Sequence, residues 1–471
     1  MAQEKKFIKF DYNYMMENYI GSEGITEKEL VATKMLQKKA VISLKEDRVS
    51  NGNMLGWLDL PHNQKDVIRD ILSTAKQIRK AEYFVVLGIG GSALGIMSLF
   101  QALCHLHHNE LKRSKRKAPK FYVEDNIDPE RMQALLDIID LDKTVFNVIT
   151  KSGSTSETIS QFLIIMDMLK EKYGVNAKNH IIATTDETSG NLINIAKKED
   201  LKTFYIPKDV GGRFSVISPV GLFPAAVLGM NIKDILRGCL DMEKSCRKAN
   251  MFENMALASA VTQYIMYKKG KNISVMMPYA DSLKLMADWY CQLWGESLGK
   301  AKNLYGETVN VGQTPVKAIG VTDQHSQIQL YTEGPYDKIV TFINVEEYRS
   351  KITIPGGYEE FPSVSFLSGH TLNELISSEK KATEYALMKN KRPNRTITLP
   401  AVNEYYLGQL MMLMMLETAY MGYFLEIDAF NQPGVEEGKN ATYALLGRKG
   451  YEAKAKELRS SKPKSQRFII E

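Results

Sequence analysis

A chain of 471 residues exceeds one ordinary α/β core, so roughly two or three domains are expected. Hydrophobic residues make up 44% and charged residues 25%, and the net charge is only +6. That balance suits a water-soluble protein with an anionic small substrate and does not point to a nucleic-acid binder, which gathers its charge in one basic patch.

The four cysteines, Cys104, Cys239, Cys246 and Cys291, have neither zinc nor disulfide spacing. No stretch of about 18 apolar residues predicts a membrane span, and Met1–Phe7 lacks the apolar segment of a secretion signal. A reducing cytoplasm is the expected setting.

In chain order, residues 1–50 read as a mixed lead-in. A first α/β domain is expected over 51–245. Tyr83–Leu87 reads as a buried strand running into Gly88-Ile-Gly-Gly-Ser92 and an apolar helix from Ala93. Phe121–Glu124 is a second strand, with Asp128-Pro129 opening the helix behind it. The basic run Lys112–Lys120 between them reads as a solvated loop. Val145–Ile149 is a third strand, followed by Lys151-Ser-Gly-Ser-Thr155 and a helix from about Glu157; Ile181–Thr184 and Thr203–Ile206 complete the set.

The alternation restarts over 246–426. Met251–Tyr267 reads as a helix, and Ile273–Met277, Val316–Ile319, Ile339–Ile343 and Thr396–Leu399 as strands. Residues 427–471 form a helical tail. Strands alternating with helices in both halves predict two doubly wound parallel sheets.

Ligands of such sheets bind beyond the carboxyl ends of the strands, so loops directly after strands come first. Gly88-Ile-Gly-Gly-Ser92 combines glycines, which admit close backbone approach, with a following helix N-terminus that favours an anion and with the Ser92 hydroxyl. A tight structural turn is the plainer reading of the same residues. The glycine spacing is not G-x-G-x-x-G, which argues against a dinucleotide. Thr150-Lys-Ser-Gly-Ser-Thr-Ser-Glu-Thr158 can wrap a phosphate with hydroxyl and backbone donors, with Lys151 supplying charge; Thr155 or Ser156 can equally serve as a helix N-cap. The Walker ending is missing, so a nucleoside triphosphate is not indicated. His105 and His108, spaced i, i+3 near Cys104, read as a helix end rather than a metal site.

Taken together, G-I-G-G-S and T-K-S-G-S-T-S-E-T resemble the sugar-isomerase domains of the glucose-6-phosphate isomerase family, with Thr150 and Ser154 standing where Ser and Thr are usual. Gly211-Gly-Arg-Phe-Ser215, Gln292-Leu-Trp-Gly-Glu-Ser-Leu-Gly-Lys300, Asp323-Gln-His-Ser326 and Gln432-Pro-Gly-Val-Glu-Glu-Gly-Lys439 follow in the family's order. The resemblance implies an aldose–ketose isomerase that interconverts glucose 6-phosphate and fructose 6-phosphate through an enediol, with no metal and no cofactor. It implies that Gly91, Ser92, Thr150, Lys151, Ser152 and Thr155 hold the phosphate. Glu296 would move the proton between C2 and C1, a task suited to a carboxylate, and Arg213 would stabilise the enediolate. His325 and Lys439 would open the sugar ring, and Gln292 and Gln432 would contact sugar hydroxyls.

The resemblance further implies a homodimer in which His325 reaches the partner's site. Broader acceptance of mannose 6-phosphate stays open. A non-catalytic sugar-phosphate sensor is disfavoured by the full Glu/His/Lys set, and a dehydrogenase by the glycine spacing.

Overall fold

The structure is a computed structural model that describes residues 7–50 and 53–470; the amino-terminal segment read above for a secretion signal lies largely outside them. Twelve strands appear among these residues: β1 (Lys9–Asp11), β2 (Tyr83–Leu87), β3 (Lys120–Glu124), β4 (Thr144–Ile149), β5 (Ile181–Asp186), β6 (Lys202–Ile206), β7 (Ile273–Pro278), β8 (Lys300–Lys302), β9 (Thr308–Val311), β10 (Thr314–Lys317), β11 (Lys338–Glu347) and β12 (Asn394–Ala401).

The first sheet has the order β3-β2-β4-β5-β6, with every neighbouring pair parallel. Chain direction across the sheet reverses between β2 and β4, which makes their carboxyl ends the topological switch point where open α/β sheets bind ligands. Strand β2 is apolar without alternation because helices cover both faces of a parallel sheet, and Phe84, Val85, Val86 and Leu87 are all fully buried.

The second sheet has the order β1-β12-β11-β7-β10 and is parallel from β12 to β10. Its edge departs from the expected pattern. β1, from the segment read as a lead-in, pairs antiparallel with β12, Phe10 opposite Ile397. A small antiparallel ribbon, β8–β9, was not expected and follows the helix Lys284–Leu298. The helix expected at Met251 begins at Met255, where the Asn254 side chain accepts from the Leu257 N–H.

The Met/Leu-rich stretch around 407–416 lies in the helix Glu404–Phe424, buried on nearly all sides within the core. It packs against the helix Ile232–Ser245 through two glycines. A Cβ on Gly408 would stand 2.1 Å from the Ile235 carbonyl oxygen, and one on Gly238 would stand 2.0 Å from that of Tyr405. Among the described residues, no helix is long and apolar enough to cross a membrane.

The run 112–120 is not a wholly solvated loop. Arg116 is buried and donates to the carbonyls of Leu111 and Ala118 and to Glu82. His108 is turned inward too, its Nε2 at 2.9 Å from the Pro119 carbonyl and its ring against Phe100. The described residues fall into two compact units, one ending at Ala429 and one beginning at Phe430. Both sheets belong to the first. The second holds the helices Glu436–Leu445 and Glu452–Ser460.

Candidate active site

Two helices start at the switch point of the first sheet. Leu94–Leu103 follows the loop after β2, and Ser156–Tyr173 follows the loop after β4. Neither has a side-chain hydrogen bond at its N-cap, Ala93 and Thr155 respectively. Free N–H groups at a helix start carry partial positive charge and favour an anion. Thr155 stands at the N-cap position as anticipated, but its hydroxyl lies 2.9 Å from that of buried Thr150 instead of serving its own helix. Ser152 Oγ accepts from the Ser154 N–H at 3.3 Å. The loop 150–155 therefore carries a cluster of hydroxyls beside an uncapped helix start.

Lys151 is used differently from the expectation. Its Nζ donates to the carbonyls of Lys208 at 2.6 Å and Val210 at 2.9 Å. Burial lowers its pKa, against the pull of Asp186 and Asp209. The ammonium pins the loop to the segment after β6. Gly91 also has another task than ligand approach: a Cβ there would stand 2.2 Å from the Gly212 carbonyl and 2.7 Å from the Arg213 nitrogen. The loop after β2 rests directly on the turn that holds Arg213.

That turn is the 3-10 segment Gly212–Ile217, closed by Phe214 N–H to Gly211 O and by Ser215 Oγ donating to Gly212 O. Arg213 is 3% exposed. Its Nε donates to Ser297 Oγ at 2.6 Å, its Nη2 to the Ala429 carbonyl at 2.6 Å, and its Nη1 lies 3.5 Å from Glu296 Oε2. Burial lowers its pKa, while Glu296 and Asp428 raise it; an arginine remains a cation throughout.

Glu296 sits in the last turn of Lys284–Leu298 with 37% of its side chain exposed, so the carboxylate faces an open space on one side and the guanidinium on the other. Gln292, one turn earlier, donates to Glu296 Oε1 at 3.2 Å. The Gln292 amide also overlies Gly90, whose Cβ would stand 2.9 Å from Nε2, and its buried Oε1 has no hydrogen-bond partner among the described residues. The structure thus brings Arg213, Gln292 and Glu296 together beside the loop 88–92. Ser297 and Lys300, from the same sequence run, complete the arrangement: Ser297 accepts from Arg213 and Lys300 donates to the Glu296 carbonyl.

The phosphoglucose isomerase family model matches residues 63–463. The chain belongs to the phosphoglucose isomerase family. It is 52% identical to a glucose-6-phosphate isomerase of Carboxydothermus hydrogenoformans over 98% of this chain and all of that one, and 41% identical to another from Rubrobacter xylanophilus, over 95% and 99%. Among solved structures, a hypothetical protein from Thermus thermophilus aligns with a TM-score of 0.84 at 34% identity, covering 94% of this chain and all of that chain. A glucose-6-phosphate isomerase from Chlamydia trachomatis shares the fold, with a TM-score of 0.77 at 20% identity over 93% of this chain and 90% of that one.

In this member of the phosphoglucose isomerase family, His325 lies on a different element from Arg213 and Glu296. It ends the 3-10 turn Thr322–His325 after β10. Its neighbours are tied down: Asp323 accepts from the Ile319 N–H and from Ser326 Oγ, while Gln324 accepts from Tyr279 and donates to Glu379. The histidine itself is exposed. Gln432 and Lys439 belong to the second compact unit. Lys439, on Glu436–Leu445, donates to Glu436 at 2.8 Å, and Gln432 precedes the 3-10 turn Pro433–Val435.

Proposed function

We propose that this chain catalyses the reversible isomerisation of glucose 6-phosphate and fructose 6-phosphate. The observation that carries the reading is the buried Arg213 facing the half-open carboxylate of Glu296, next to a switch point with two uncapped helix starts. The uncapped helices and the hydroxyls of Ser92, Thr150, Ser152 and Thr155 suit a phosphate, which is multiply charged and accepts many hydrogen bonds. Glu296 takes a proton from the carbon beside the carbonyl and returns it to the neighbouring carbon, so one group serves as base and then acid. Negative charge builds on the enediolate oxygens meanwhile, and Arg213, already fixed by Ser297 and Ala429, meets it without reorganising. Gln292, held beside the base by its hydrogen bond to Glu296, contacts a sugar hydroxyl.

His325 and Lys439 open and close the sugar ring, His325 from the partner in a two-fold dimer, and Gln432 contacts a sugar hydroxyl; the match of these residues to the family pattern supports those roles. The two sheets correspond to two sugar-isomerase domains, and the enzyme works in the cytoplasm. The test is direct. Purified protein given fructose 6-phosphate yields glucose 6-phosphate, while Glu296→Gln loses ~10²–10⁴-fold in turnover but still binds substrate. Deuterium from solvent enters C2 of the aldose with the parent protein only. Normal exchange in Glu296→Gln overturns the assignment of the base, and mannose 6-phosphate run in parallel measures the breadth of the substrate range.

A further inference from the structure

Lys300 opens β8, just past the helix that carries Glu296. It is 7% exposed, and its Nζ donates to the carbonyls of Glu296 at 2.7 Å and Ser297 at 2.8 Å. Both belong to the last four carbonyls of the helix, which have no donors of their own. Ser297 in turn accepts from Arg213 Nε. One ammonium thus holds the backbone of the carboxylate and, through Ser297, the seat of the guanidinium.

A helix end needs no buried cation, since a glycine and solvent suffice. This one is costly: burial and the nearby Arg213 push the Lys300 ammonium down to about 8, against the pull of Asp428 and Glu296. A helix C-terminus carries about half a negative charge, and Glu296 sits in its last turn. The enediolate forms on substrate at that end, so an uncompensated helix terminus opposes the very charge the reaction builds.

We propose that Lys300 is a positioning residue for isomerisation: its ammonium fixes the backbone of Glu296 and Ser297 and neutralises the end of their helix where the enediolate forms. The proposal rests on Glu296 and Arg213 acting as described above.

The experiment compares Lys300→Met and Lys300→Arg with the parent enzyme. Lys300→Met lowers kcat by ~10–100-fold, because a small misplacement and a lost charge both fall on the transition state. KM for fructose 6-phosphate stays within about threefold, since the phosphate loops lie on the first sheet. Arabinonate 5-phosphate, whose carboxylate mimics the enediolate charge, loses affinity in step with kcat, whereas glucitol 6-phosphate, which has no such charge, binds as before.

Lys300→Arg keeps the charge and recovers most of the turnover. The parent kcat falls as pH rises through about 8, where Lys300 loses its proton, and Lys300→Arg lacks that decline. The other charged groups facing Lys300 are Arg213, Glu296 and Asp428. If Lys300→Met does not fold, Lys300→Gln takes its place.

Parental kcat in the uncharged variant, equal loss of both inhibitors, or an arginine variant as slow as the methionine one overturns the proposal. If the parent protein does not interconvert the sugars, the functional reading fails instead. If it does, and Glu296→Gln is inactive while Lys300→Met is normal, this proposal alone fails.

Discussion

Replacing Gly91 with alanine tests whether the contact between the loop after β2 and the arginine turn places Arg213. The new Cβ would stand 2.2 Å from both carbonyl atoms of Gly212 and 2.7 Å from the Arg213 nitrogen, all backbone, so no side chain can swing aside. Restoring an ordinary separation opens the two loops by about 1 Å, and overpacking of this kind costs ~1–3 kcal/mol, a loss that a well-packed protein of this size survives. Activity is more sensitive than stability, because a 1 Å misplacement near the chemistry can cost ~10²-fold. The expected result is a folded protein with kcat/KM for fructose 6-phosphate reduced by ~10².

Gly211→Ala is the matched control on the other loop. Its φ is −70° and its Cβ would meet only Phe214 Cδ2 at 3.8 Å, so activity within about threefold of the parent is expected. The assay couples glucose 6-phosphate formation to an NADP-dependent dehydrogenase, with circular dichroism melts to confirm folding. Near-parental kcat/KM in Gly91→Ala, or equal losses in the two variants, would refute the idea that this contact sets the position of the arginine.

Ser92→Ala with Thr155→Val should weaken binding of any 6-phosphate sugar by ~10-fold or more, at ~0.5–1.5 kcal/mol or more per hydrogen bond lost, while leaving the already weak binding of unphosphorylated fructose unchanged; calorimetry reads both. Lys151→Met strands the part-buried carbonyl of Val210 at a cost of ~1–3 kcal/mol and releases that of Lys208 to water, so the melting temperature should drop together with the rise in KM. A rise in KM without any thermal loss would return Lys151 to direct phosphate contact. Mixing Glu296→Gln with His325→Ala chains should restore about a quarter of the sites if His325 acts across a two-fold dimer, since half the dimers are mixed and half their sites are whole. Activity at the mutant floor, with mixed dimers confirmed by mass, would place both residues in one chain's site.

Much of the first sheet is legible in the sequence because its cues are local. An uninterrupted apolar run followed by glycines announces β2 and its turn, and Asp128-Pro129 announces a helix start, since each depends on only a few adjacent residues. Arg213, Gln292 and Glu296 are named through the motifs shared with the family, and folding brings them together. Their support could not be read that way. Lys300 lies within a recognisable run, yet only the folded helix end shows that its ammonium caps the carbonyls beside it. Gly91 looks like a residue that lets a ligand in, but a contact with Gly212, far along the chain, is what forbids its side chain. Lys151 looks like a phosphate cation until the segment after β6 supplies two carbonyls. The pairing of β1 with β12 joins nearly opposite ends of the first unit, and no local pattern in three residues could choose that partner. Periodicity and turn chemistry act over about a dozen residues and are written in the chain; which distant atoms meet is settled by close packing, and a charged or small residue takes its role from whatever packing sets against it.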